Sequence, residues 1–313
     1  MQLINYLKLI RVPQWIKNLF VFVPLLFSLH LFEENYFTVT FLAFLVFCLA
    51  SSSIYVINDI VDIEADRSHP EKRNRPLPSG KISISSAVIT AAVLLILVFW
   101  LMMYFNKSFI FLVVGFIVLN VLYSFWLKNI VLLDVFSIAA GFTIRVLAGA
   151  FVIQVPISSW LILTTMFISL FLGVMKRRSE LVLVSESLKS KMNSATAKEE
   201  STSNVEQQEP KSRKVLTQYS LNFVDQMATI AAAGVIVCYA LYSVAPRTVS
   251  VFQTERLIYT TPFVVFGIFR FMYLEYISGK AENTTRVIAT DLFMILDVIL
   301  YILATVVIIY KLI

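Results

Sequence analysis

Residues 37–75 read FTVTFLAFLVFCLASSSIYVI and then NDIVDIEADRSHPEKRNR: an uncharged run over 37–57 that breaks abruptly into acidic and basic residues. An α-helix rises about 1.5 Å per residue, so an uncharged run of about 20 residues spans the roughly 30 Å hydrocarbon core of a bilayer. The pattern recurs. Nine apolar stretches are long enough to cross, at about residues 18–33, 37–57, 84–105, 108–127, 130–151, 157–175, 222–244, 257–277 and 288–310. The expected fold class is therefore all-α, a polytopic integral membrane protein of nine transmembrane helices. Composition agrees: of 313 residues 58% are hydrophobic and 15% charged, with a mean hydropathy of +0.81, which excludes an ordinary soluble domain. The first stretch is interrupted by Pro24, and the segment before it, up to Lys17, reads as amphipathic.

Lys and Arg between the spans orient the chain, because basic loops stay in the cytoplasm. With a cytoplasmic N-terminus, 20 of the 26 fall on the inside and 4 on the outside; Arg145 and Arg270 lie within spans. The acidic stretch after residue 57 is then cytoplasmic, and the pI of about 9.2 reflects topology and anionic headgroups or substrates, with no nucleic-acid partner. Met1–Lys17 lacks the pattern of a cleavable signal peptide. Cys48 and Cys238 fall inside spans at no metal or redox spacing and read as small core hydrophobes. Residues 1–313 are expected to form a single domain, broken by a polar insertion at about 185–214 that is either a mobile loop or a short polar helix pair acting as a lid.

The acidic run has helical order. Asn58, Asp62 and Asp66 are four residues apart and share a helix face; with Asp59 they offer hard oxygen ligands for a divalent cation. Magnesium completes its shell with substrate phosphate oxygens, so a diphosphate would bridge this face to Lys72, Arg73 and Arg75, on a loop fixed by Pro70, Pro76, Pro78 and Gly80. Further polar groups stand at span ends. Gln14, Lys17 and Asn18, beside Trp15, form either an interfacial anchor or a re-entrant or surface helix facing a polar cavity. Tyr123 and Lys128 close the fourth span, and Arg145 lies at mid-membrane, where a charge must be paired or line a wet cavity; Gly141 and Gly149 would let helices approach there. Lys176, Arg177 and Arg178 close the sixth span, as a basic cytoplasmic flank or as a phosphate clamp. Arg270 and Glu275 are expected to pair with Asp291 and Asp297 of the last span.

Nine spans, an NDxxDxxxD motif after the second and a Tyr-to-Lys pair after the fourth resemble the UbiA superfamily of intramembrane prenyltransferases. Within it, RVPQWIKNLFVFVPLLF (11–27), NDIVDIEADRSHPEKRNRP (58–76) and DVFSIAAGFTIRVLAGA (134–150) look most like the decaprenyl-phosphate phosphoribosyltransferase branch. That resemblance implies an enzyme using Mg2+, with Asp62, Asp66, Tyr123 and Lys128 as catalytic residues. It implies phosphoribosyl pyrophosphate as donor and a polyprenyl monophosphate as acceptor, at the cytoplasmic face of the plasma membrane, and leaves a homo-oligomer open. Ordinary members carry a second aspartate-rich motif after the sixth span. Here Gly173–Glu180 read GVMKRRSE, cations in its place, which fits the branch. The alternatives are prenyl transfer from a prenyl diphosphate to an aromatic or lipid acceptor, which calls for that missing motif, and a transporter, against which the lack of an inverted repeat speaks.

Overall fold

The structure, a computed structural model, describes residues 2–67, 72–196, 218–277 and 290–311, and the side chains among them except those of 186–196. Among the described residues every regular element is helical. The chain opens with α1 (Gln2–Leu9), a 3₁₀ helix (Val12–Phe22) and α2 (Val23–Leu26); α1 and the rest of this segment meet at 45°. Then follow α3 (Glu34–Val61), the short α4 (Ile63–Arg67), α5 (Ile84–Met102), α6 (Lys107–Phe125), α7 (Leu133–Val152) and α8 (Ser159–Thr196). The last group is α9 (Leu221–Val244), α10 (Pro246–Phe252), α11 (Thr261–Tyr276) and α12 (Leu292–Tyr310). Among the described residues eight helices are long and apolar enough to cross a membrane, or nine if the bent N-terminal pair is counted as one span.

Helix starts follow local chemistry. Ser83, Asn106, Ser220 and Asp291 each accept a hydrogen bond from the backbone N–H three residues on, satisfying a donor the first turn leaves free. Burial sorts the helices: the spans of α3 and α7 are 61% and 56% buried, those of α5, α6 and α12 only 22%, so α3 and α7 form the centre and the other three face lipid. Four apolar clusters result among the described residues, two of them large. One joins the N-terminal segment to α3, α5, α6 and α7; the other joins α7 to α8, α9, α11 and α12, so α7 belongs to both.

Two elements differ from the sequence expectation. In place of a first span over 18–33 stands a bent segment from Gln2 to Leu26 whose middle is 3₁₀, a broken span or a re-entrant loop. The sixth helix runs on to Thr196, so the start of the polar insertion is a helical extension of α8; the rest of the insertion lies outside the described residues, as do Pro70 and its neighbours.

Candidate active site

The 3₁₀ segment repeats every three residues, and its three edges do three different things. Pro13, Ile16 and Leu19 are exposed. Trp15, Asn18 and Val21 point inward: the Trp15 indole donates to Ser52 Oγ at 3.0 Å, Asn18 is fully buried, and Val21 packs against α7. A Cβ at Gly149 would come within 2.1 Å of the Val21 carbonyl, so that position admits only hydrogen; Gly141 meets nothing closer than 3.7 Å. Arg11, Gln14 and Lys17 make the third edge, half-buried. Arg11 sits in the left-handed region (φ 53°), reaches Asp59 and lies 4.9 Å over the Tyr55 ring.

At the end of α3 the helical register survives a break at Asp62: Asp62 N–H donates to the Asn58 carbonyl at 2.9 Å, and Asp66 N–H to that of Asp62 at 2.8 Å. The side chains nevertheless divide into two groups. Asp59 and Asp66, seven residues apart and both buried, are bridged by Arg75 at 3.2 and 2.7 Å; Arg11 completes Asp59 and Lys72 stands 3.8 Å from Asp66. Asn58 and Asp62 form the other group. Asn58 Oδ1 is buried with no hydrogen-bond partner, and the Asp62 carboxylate is 41% exposed and met by Lys128 Nζ at 3.3 Å. No three His, Cys, Asp or Glu side chains converge as a metal cluster among the described residues. Asp66 thus groups with Asp59, against the expected common face with Asn58 and Asp62. An orphaned amide oxygen one helical turn from a partly exposed carboxylate is a donor pair suited to a hard cation, so the residues present fit magnesium. Arg73 is exposed on the same loop.

The three cations ending the sixth span diverge, because a helix turns about 100° per residue. Arg177 is fully buried: its Nε meets Asp134 Oδ2 at 2.6 Å, Nη2 donates to Tyr123 Oη at 3.1 Å, and Nη1 pairs with Glu180. Tyr219 closes this network by donating to Asp134 at 2.8 Å and accepting from the Leu132 N–H at 2.8 Å. Burial, with the Asp134 bond adding to it, pushes the Tyr219 phenol up to about 12, so it remains a donor. Arg178 turns to the far side, where it bonds Asp225 at 2.8 Å and lies 3.7 Å over the Tyr276 ring. Only Lys176 is exposed and within electrostatic reach of Lys17. A clamp of three adjacent cations is therefore not what the helix presents.

Deeper in, Arg145 is buried; its Nε donates to Asn18 Oδ1 at 2.7 Å, Nη1 to the Gly141 carbonyl at 2.9 Å, and its plane lies 4.5 Å over Phe116. The pairing expected between the last spans is half present. Arg270 binds Asp291 at 2.8 Å, whereas Glu275 accepts from Ser179 of α8 at 2.8 Å and Asp297 packs against Gly267. Sequence reasoning left Tyr55, Asp134 and Tyr219 without roles and Arg11 outside the site. A three-residue count back from Lys17 through Gln14 would have found Arg11.

The model of the UbiA prenyltransferase family matches residues 20–180. A decaprenyl-phosphate phosphoribosyltransferase of Mycolicibacterium smegmatis is 35% identical over 76% of this chain and 69% of its own length. One of Mycobacterium tuberculosis H37Rv is 30% identical over 75% and 72%. The structure of a UbiA homolog from Archaeoglobus fulgidus bound to GPP and Mg2+ is similar with a TM-score of 0.67, over 98% of this chain and 99% of that one, at 15% identity, a likeness of fold. The helical bundle is thus a shared fold: the chain belongs to the UbiA prenyltransferase family and is a membrane-embedded transferase.

Proposed function

We propose that the protein transfers a 5-phosphoribosyl group from phosphoribosyl pyrophosphate to a polyprenyl monophosphate, releasing pyrophosphate. The observation that carries this reading is the asymmetry of the site. One oxygen-donor group, Asn58 with Asp62, faces Lys128, and the end of the sixth helix offers Lys176 instead of a second acidic set. Glu180, the acid nearest to Lys176, is engaged by Arg177. A site with one hard-cation face and separate free cations suits one metal-bound diphosphate and one further phosphate. A prenyl diphosphate bound through two acidic motifs suits it poorly. The relatives' names point the same way.

In this reading Asn58 and Asp62 hold Mg2+, and Asp59 and Asp66 fix Arg75, Arg11 and Lys72 where the donor's phosphates arrive. Magnesium, when bound, neutralises charge on the departing pyrophosphate. A phosphate oxygen of the lipid forms a bond to the anomeric carbon as the bond from that carbon to pyrophosphate breaks, through an oxocarbenium-like state by analogy with other glycosyl transfers. A phosphate monoester is already anionic, so no strong base is needed. Lys128 pairs with Asp62 and steers the diphosphate; Tyr123 is held by Arg177. Alignment and fixed positive charge supply the rate. The N-terminus and site face the cytoplasm of the plasma membrane, where the soluble donor is available. The test is direct: purified protein, Mg2+, ribose-labelled phosphoribosyl pyrophosphate and a polyprenyl phosphate give label in the extracted lipid. No labelled lipid, alongside turnover of a prenyl diphosphate with an aromatic acid, overturns the proposal in favour of prenyl transfer.

A further inference from the structure

Arg145 carries a charge that nothing acidic answers. Among the described residues its contacts are Asn18 Oδ1, the Gly141 carbonyl, Ser51 Oγ at 3.5 Å and the faces of Phe116 and Phe142, all neutral. A buried guanidinium held by neutral acceptors alone is costly at membrane depth, and such groups persist where an anion visits them. It is not alone. Lys17 lies within electrostatic reach of both Arg145 and Lys176, and its ammonium takes no hydrogen bond or ion pair with the described residues. Lys176 is exposed, and the one carboxylate near it, Glu180, pairs with Arg177. Lys17 thus stands between a cation of α7 and a cation of α8, and among the described residues none of the three has a carboxylate of its own.

The depth of Arg145 identifies the anion. Ser51, which touches Arg145, precedes Asn58 by seven residues on α3, so it lies on nearly the same face and about 10 Å further into the bilayer. A soluble sugar diphosphate enters from the mouth and meets Asn58, Asp62 and Lys128 first. A phosphate tethered to a chain in the bilayer approaches from the membrane side, and only unanswered cations hold it below the headgroup level. We infer that Lys17, Arg145 and Lys176 form the subsite for the phosphate of the lipid acceptor, while the acidic half with Lys128 takes the donor's diphosphate. Asn18 is a positioning residue: its Oδ1 orients the Arg145 guanidinium and its Nδ2 is anchored on Cys48 Sγ at 3.3 Å. The identity of the lipid as acceptor rests on the phosphoribosyl-transfer reading; the cation subsite rests on the geometry.

The experiment is equilibrium binding of labelled farnesyl phosphate, against farnesol, to the full purified chain in detergent without any sugar donor. The phosphate binds at least roughly tenfold tighter than the alcohol, and Lys17→Met removes most of that difference, as expected for one lost charge-assisted hydrogen bond. Lys17 has no bonded partner to lose, so this variant folds; Arg145→Gln acts in the same direction and Arg145→Lys partly restores it. Farnesyl phosphate binding survives Asp62→Ala. Equal affinity for phosphate and alcohol overturns the assignment, as does a Lys17→Met protein that keeps phosphate binding while its KM for phosphoribosyl pyrophosphate rises. Lys17-dependent phosphate binding in a protein that transfers no phosphoribosyl group removes the proposed reaction and leaves the subsite standing.

Discussion

The two carboxylates expected to serve catalysis sit in unlike surroundings, and that separates their mutants. Asp62 is 41% exposed with a single ammonium beside it, so Asp62→Ala changes stability by no more than about 0.5 kcal/mol. Turnover in the labelled-lipid assay nevertheless falls by at least roughly 10²-fold, the scale of losing fixed transition-state electrostatics. Asp66→Ala also abolishes turnover, but by freeing Arg75 and Lys72, and it lowers the thermal midpoint as well. Retained activity in either variant removes that residue from the site. Arg177 is the opposite case, wholly structural in its contacts. Arg177→Met leaves the fully buried Asp134 without its cation and costs about 3–5 kcal/mol, while adding Asp134→Leu recovers much of it. Thermal unfolding in detergent of the single and double variants reads this; a double variant no more stable than the single one refutes an ion pair as the cause.

Among elements, the long helices were legible because an uncharged run of bilayer length states its own structure: α3, α5 through α7, α9, α11 and α12 begin and end within a few residues of the runs, and α8 starts with its run but continues to Thr196. The N-terminal segment was not legible, because reading it with a period of 3.6 scatters residues that a period of three sorts into lipid-facing, packed and site-facing edges. The same arithmetic hid the fate of Lys176, Arg177 and Arg178. Adjacent letters suggest a shared role, and a helix sends them to three different faces. What holds the 3₁₀ segment is its approach to α7 at Gly149. Gly149→Ala forces a Cβ against the Val21 carbonyl, so the segment shifts, stability falls by about 1–3 kcal/mol and activity falls with it, since Gln14, Lys17 and Asn18 ride on that segment. Gly141→Ala meets only ordinary contacts at 3.7 Å and beyond and is tolerated to within about 1 kcal/mol, although sequence alone put the two glycines in one role. Comparable losses in both variants would show that the close approach at Gly149 does not set the cost.

For the whole molecule the decisive quantity is orientation. The acidic helix end, the Arg75 loop, Lys128 and Lys176 all lie at one end of the bundle, and α5 connects that end to the other over 19 residues, roughly 28 Å. Charge asymmetry leads to the expectation of a cytoplasmic site end, and the proposed reaction requires the same, because its donor is a soluble phosphorylated sugar. Ser79 and Met103 flank α5, and both are exposed. The native thiols Cys48 and Cys238 are buried and give little background. In intact cells a membrane-impermeant maleimide therefore labels Met103→Cys and leaves Ser79→Cys untouched until the membrane is opened. The reverse pattern would put Asn58 and Asp62 outside the cell, away from phosphoribosyl pyrophosphate, and the phosphoribosyl-transfer reading would fall with the topology, while membership of the family, which rests on sequence and fold, would not.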